Sequence, residues 1–113
     1  MSEYFYPTDG RKHYKDLEKA QKGMFQAFKN FNNEIFEKES DLSRKMKELI
    51  AIGVAHTTQC PYCIEGHVRA ARKAGANDQE IAEAIFVAAA LRAGGAFAHS
   101  TIAMSVLNET EGK

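Results

Sequence analysis

Cys60 and Cys63 stand two residues apart in the run Gln59-Cys60-Pro61-Tyr62-Cys63, and His67 follows four positions after the second. Thiols at that spacing can close into a disulfide across one helical turn. A helix beginning near Pro61 puts Cys60 at its N-terminus, where unpaired N–H groups and the helix dipole favour the thiolate, the reactive form of sulfur. Cys63 and His67 then share a helix face, so the imidazole can take the Cys63 proton. Glu48 lies one helix earlier and orients or charges that imidazole if the two helices pack antiparallel across the Thr57 to Gln59 connection. Together the four side chains compose an acid–base relay on a redox dithiol. The helix terminus favours Cys60 as the thiolate and His67 favours Cys63, so these residues alone leave open which sulfur reacts first.

Three other roles compete for the same residues. A C-x-x-C pair near a histidine suits half of a zinc site, with His67 and Glu48 to complete it, although structural zinc usually takes more sulfur. Free cysteine is also commonly buried, but these two stand at a helix start rather than along an apolar stripe. The tetrapeptide Cys-Pro-Tyr-Cys occurs in glutaredoxins as well. A thioredoxin-like fold, however, needs further strands and a cis-proline facing the dithiol. Pro7 and Pro61 are the only prolines here, and the chain after Cys63 is alanine-rich with helical caps.

The elements that position the relay are legible in outline. An irregular arm is expected over residues 1–13, with the apolar run Tyr4, Phe5 and Tyr6 packed on the body or on another subunit, and one helical domain over residues 14–113. From Tyr14 to about Glu37, Leu17, Met24, Phe28, Phe31 and Ile35 recur at helical spacing, with Asn32 and Asn33 as the expected bend. Ser43 is the candidate N-cap of a helix whose Met46, Leu49, Ile50, Gly53 and Val54 predict burial on several sides. Pro61 opens the next helix and Gly75 stops it. Asn77 and Glu80 form a capping box for a helix bearing Ile81, Ala84, Ile85, Ala88 and Leu91. Gly94 and Gly95 then punctuate, and a last helix is expected from Ala96 to Leu107, fraying from Asn108 onward.

Composition narrows the function. The 113 residues carry 15 Lys+Arg and 15 Asp+Glu, so no basic field recruits nucleic acid or anionic lipid. At 44% hydrophobic and 27% charged residues the chain is expected to fold as one domain. Its longest mostly apolar stretches, Leu49 to Ala55 and Ile85 to Leu91, fall well short of the roughly 20 residues of a membrane span. No secretory pattern opens the sequence, which makes the cytoplasm the expected compartment. Of the remaining residues, Tyr62, His56 and His99 are further candidates for lining the site. A hydrogen-bonded structural histidine is the commoner role for the last two. The phenylalanines at 25, 28, 31 and 36 suit core or interface better than a cofactor pocket, and Arg44, Arg69, Arg72 and Arg92 are more often solvated than carboxylate ligands.

The spacing of Glu48, Cys60, Cys63 and His67 resembles the alkylhydroperoxidase D-like (AhpD-like) branch of the carboxymuconolactone decarboxylase family. The block from Lys47 to Ala76, then Glu80 to Ala84 and the glycine pair, looks like the whole core of that family, and Tyr4 to Pro7 with Ala55-His56 look like a peroxidase-like subgroup. The resemblance implies an all-α, single-repeat AhpD-like helical bundle with the C-x-x-C at the N-terminus of a central helix, assembled as a homo-oligomer, a hexamer favoured. It implies reduction of hydroperoxides without a bound cofactor or metal, the disulfide being recycled by an external dithiol donor such as a dihydrolipoyl or thioredoxin-like protein. Cys63 then takes the part of the peroxide-attacking sulfur, Cys60 of the resolving one, His67 of the proton carrier and Glu48 of the end of the relay. Tyr62 replaces a second histidine found between the cysteines of the best-known branch. That leaves a general dithiol–disulfide reductase as the first alternative, ahead of a decarboxylase-type lyase or a zinc-binding helical module.

Overall fold

The computed structural model describes residues 5–7 and 9–111, and among them the fold is all helix, without a strand. Five α-helices follow a short 3-10 turn at Gly10–His13: α1 (Tyr14–Ala20), α2 (Lys22–Phe36), α3 (Arg44–Thr58), α4 (Pro61–Lys73) and α5 (Asp78–Thr110). α3 and α4 form a hairpin, and the first half of α5 packs against α3.

The helix boundaries have local causes. Ser43 is extended and its hydroxyl accepts from Met46 N–H, which satisfies one of the orphan donors opening α3. α3 ends at Gln59, whose left-handed backbone (φ 57°) turns the chain directly into Cys60 and Pro61. Cys60 caps α4, its sulfur accepting from Cys63 N–H, and Pro61 fills the first turn, where no N–H is missed. Gly75, at φ 98°, occupies the conformation that ends α4 without a Cβ penalty. The Asn77–Glu80 capping box is complete, with Glu80 N–H donating to Asn77 Oδ1 and Asn77 N–H to Glu80 Oε1.

Glu80 also pairs with Lys45 of α3 at 2.6 Å, which ties α5 to α3. That ammonium and the Asn77 N–H hold the Glu80 carboxyl below its ordinary 4.5. A carboxyl depressed in the fold stabilises it fully above the unfolded value and loses that contribution as pH falls through the folded one. Glu80→Gln should therefore lose less thermal stability than the parent between neutral pH and pH values below about 4.5, measured as melting midpoints across the range.

Two boundaries differ from expectation. The break in the first amphipathic stretch falls at Gln21 (φ −146°, ψ 74°), and Asn32 and Asn33 lie inside α2. Tertiary contacts select that position: the kink lets Tyr14 meet Phe25, with ring centroids 6.5 Å apart, and Glu18 accept from Gln26. Likewise Gly94 and Gly95 do not end a helix. α5 runs unbroken through them for 33 residues and continues past Asn108 to Thr110. Each interior glycine costs about 1 kcal/mol relative to alanine, and the flanking alanines and leucine absorb it. Read as one helix, α5 contains an 18-residue window of mean hydropathy 1.6, so one helix is by length and composition long and apolar enough to cross a membrane. The expected break at Gly94 and Gly95 divided this helix into two shorter ones at the level of sequence.

The core of the chain is small. Ile52, Ala71 and Ala76 are its centre, with Leu49, Val68, Ile81, Ala84 and Ile85 packed around them, and Ile52 is the one large side chain fully buried among the described residues. α3 is accordingly buried on one face only, through Glu48, Ile52 and Ala55, while Met46, Ile50 and Val54 stay about half exposed. The C-terminal half of α5 projects from the body and leaves Phe97 81% exposed, with Ile102, Val106 and Leu107 also open. Tyr4 lies outside the described residues; Phe5 is exposed, and Tyr6 packs edge-on against Tyr62 with centroids 5.2 Å apart.

Candidate functional site

The α3–α4 hairpin brings the four relay residues to one place. Cys60 and Cys63 are joined by a disulfide, their Cα atoms 5.2 Å apart across the first turn of α4. One turn further along the same face, His67 Nδ1 lies 2.6 Å from Glu48 Oε2. A carboxylate can only accept, so Nδ1 carries the hydrogen and Nε2 is left as the basic nitrogen. Glu48 is 6% exposed, the buried acid among the described residues, and this is the pairing that satisfies it. A buried carboxylate held to one imidazole fixes the ring's orientation and tautomer, as the acid does in a catalytic triad.

Cys63 and His67 together open onto a cavity of about 420 Å³, whose other walls are mostly apolar side chains of α2, α3 and the loop between them, including Ile35, Phe36, Leu42, Ile50 and Val54, with Lys47 and Thr58 the polar exceptions. Cys60 does not line it. The cavity treats the two sulfurs differently: Cys63 lines it with His67, and Cys60, the N-cap of α4, does not. Cys63 is also the more exposed of the pair.

The remaining candidates fall elsewhere. Tyr62 turns toward the N-terminal arm, where its ring meets Tyr6 and its carbonyl accepts from Arg11. His56 is half-buried on α3, with Nδ1 2.8 Å from Ile52 O. His99 is exposed on the projecting half of α5, with Nδ1 2.8 Å from Gly95 O. None of the three lines the cavity. Arg72 pairs with Asp78 and Arg69 with Glu65, and Arg92 donates to Thr57 O. Among the described residues no three His, Cys, Asp or Glu side chains gather in a metal-holding arrangement.

Phe36 was not distinguishable in the sequence from the other apolar residues of α2. Its ring lies 4.9 Å from that of His67, tilted by 40°. Lys47, immediately before Glu48, donates to Ile35 O at 2.7 Å and to Lys38 O at 3.0 Å, holding the end of α2 against α3.

Comparison with known proteins agrees with this architecture. The chain is 56% identical over 71 residues to "Uncharacterized protein 4 in cox locus" of Paracoccus denitrificans, a match covering 63% of this chain and 64% of that relative. A crystal structure of a protein from Methanobacterium thermoautotrophicum shares the fold with a TM-score of 0.69 and 31% identity, over 76% of this chain and 96% of its own. The family model described as "Carboxymuconolactone decarboxylase family" matches residues 22–109, which include α2 to nearly the end of α5 and all four relay residues. The chain belongs to the carboxymuconolactone decarboxylase family.

Proposed function

We propose that the protein is a thiol-dependent peroxidase that reduces hydroperoxides through the Cys60–Cys63 dithiol. The observation that carries this reading is that one sulfur of a disulfide-forming pair, Cys63, and a carboxylate-held imidazole, His67, open onto one largely apolar cavity. His67 Nε2 takes the Cys63 proton. The thiolate attacks the terminal peroxide oxygen, the O–O bond breaks, and the departing alkoxide receives a proton through His67 to leave as the alcohol. Cys63 is then a sulfenic acid. Cys60 sulfur displaces its hydroxyl, giving the disulfide and water. An external dithiol, of the dihydrolipoyl or thioredoxin-like kind, restores both thiols by exchange and leaves as its own disulfide. No bound cofactor enters this cycle, and a dithiol of this kind suits the reducing cytoplasm. Its test is consumption of cumene hydroperoxide by the full chain with dithiothreitol as donor. Turnover well above the dithiothreitol background is expected, and background-level consumption contradicts the peroxidase reading.

The working form we infer is a homo-oligomer, a hexamer favoured. A compact monomer of this mass exposes about 6,200 Å², whereas this chain exposes 8909 Å². Its radius of gyration is 19.4 Å, against about 13 Å for a compact chain of this length. The excess area is of the size that obligate interfaces cover, and large apolar side chains of α2, α3 and α5 such as Met24, Val54, Phe86 and Phe97 stand exposed. Light scattering on the purified protein should give several times the chain mass of 12.6 kDa. A monomer at micromolar concentration contradicts the assembly.

A further inference from the structure

We propose that Phe36 and Lys47 are positioning residues for the relay: Lys47 fastens the end of α2 so that the Phe36 ring holds the His67 imidazole with Nε2 committed to the cavity. The inference rests on the reading of His67 as the proton carrier and extends it to residues outside the dithiol motif. Glu48 fixes only one atom of the imidazole, Nδ1 at 2.6 Å. A ring held at one nitrogen can still rock about that bond. The Phe36 ring, 4.9 Å away and tilted by 40°, supplies the second constraint and covers part of the imidazole from water.

Phe36 is itself the last residue of α2, where a helix would otherwise fray and the final carbonyls have no partner. The Lys47 ammonium meets one of these carbonyls, Ile35 O at 2.7 Å, and also Lys38 O at 3.0 Å just past the helix end, and its charge complements the negative end of the helix. Lys47 and Glu48 are consecutive on α3 and point in directions about 100° apart. One reaches α2 and sets Phe36; the next reaches α4 and sets His67. Phe36, Lys47, Cys63 and His67 all line the same cavity, so displacement of the α2 end alters the histidine and the hollow together.

Four full-length variants test this. Phe36→Leu keeps an apolar side chain but removes the ring, Phe36→Tyr restores a ring, Lys47→Met keeps the stem but removes the donor, and the fourth combines Phe36→Leu with Lys47→Met. In the parent, the His67 ring protons should show a ring-current displacement in nuclear magnetic resonance spectra. That displacement should vanish in Phe36→Leu, persist in Phe36→Tyr and shrink in Lys47→Met. With cumene hydroperoxide and dithiothreitol, Phe36→Leu should lower kcat about tenfold with KM within about twofold, Lys47→Met should lower it by a smaller factor, and the double variant should be no slower than Phe36→Leu. Three results overturn the proposal: a His67 spectrum unchanged by Lys47→Met, a Phe36→Leu kcat equal to the parent's, or losses that multiply in the double variant. The spectra need no turnover. An inactive parent with the expected ring-current pattern therefore refutes the peroxidase reading while supporting the positioning of His67, and the reverse result does the opposite.

Discussion

Cys63→Ser is expected to abolish hydroperoxide consumption, a fall on the order of 10³-fold or more, whereas Cys60→Ser should still react once. The difference follows from where the two sulfurs sit. Cys63 borders the cavity with His67, and its thiolate is the group a peroxide entering that hollow meets. Cys60 caps α4 outside the cavity, close enough to Cys63 for the disulfide the two already form. In Cys60→Ser the first step is intact and the second is blocked, so Cys63 should accumulate as sulfenic acid, trapped by a dimedone-type reagent and found on the peptide carrying residue 63. The helix dipole argues in the other direction, since it stabilises a Cys60 thiolate. If only Cys60→Ser abolishes sulfenate formation, the two roles are exchanged and the dipole outweighs the histidine.

The second large effect is expected at Glu48. Glu48→Gln keeps the shape and an oxygen to accept from His67 Nδ1–H, but removes the charge that stabilises the imidazolium during proton transfer. Its second-order rate of Cys63 oxidation should fall about 10²-fold, in the range assigned to general acid–base catalysis. His67→Gln should fall by a similar factor, and combining the two should add little, because carboxylate and imidazole act as one unit. Stopped-flow oxidation of the reduced protein measures all three. Glu48→Ala is a poorer probe: it deletes the buried partner of His67, and its loss of activity would mix chemistry with damage to the α3–α4 contact.

The part of the site that sequence disclosed is the part built on one hairpin. Ser43, Pro61, Gly75 and the Asn77–Glu80 box fix helix ends through local chemistry, so the placement of Cys60, Cys63 and His67 on one helix, and of Glu48 on its neighbour, was readable from spacing. Features that depend on partners distant in sequence were not. The kink at Gln21 is chosen by Tyr14 meeting Phe25 and by Glu18 meeting Gln26. The continuity of α5 through Gly94 and Gly95 reflects alanine propensity along the whole helix, which outweighs two local breakers. The Phe36–His67 contact joins α2 to α4, and the Lys47 bonds join α2 to α3; nothing in the spacing of the α2 apolar residues marks either out.

The same distinction explains the exposed apolar surface. An amphipathic pattern predicts that a face is covered without saying by what. In this chain α2, much of α3 and the outer half of α5 keep large apolar side chains in the open, while the Glu48–His67 pair is formed within α3 and α4, with Glu48 buried and His67 part-buried beside Phe36. The relay thus belongs to the single chain, and the subunit contacts proposed above serve to cover the helices around it.

The central claim, a redox dithiol oxidised by peroxide, is tested most directly by counting thiols in the reduced protein before and after one equivalent of hydroperoxide, with the intact mass measured in parallel. Both cysteines of the chain should be lost to the count, and the mass should fall by two hydrogens as Cys60 and Cys63 join. A thiol count and mass unchanged by peroxide would contradict it.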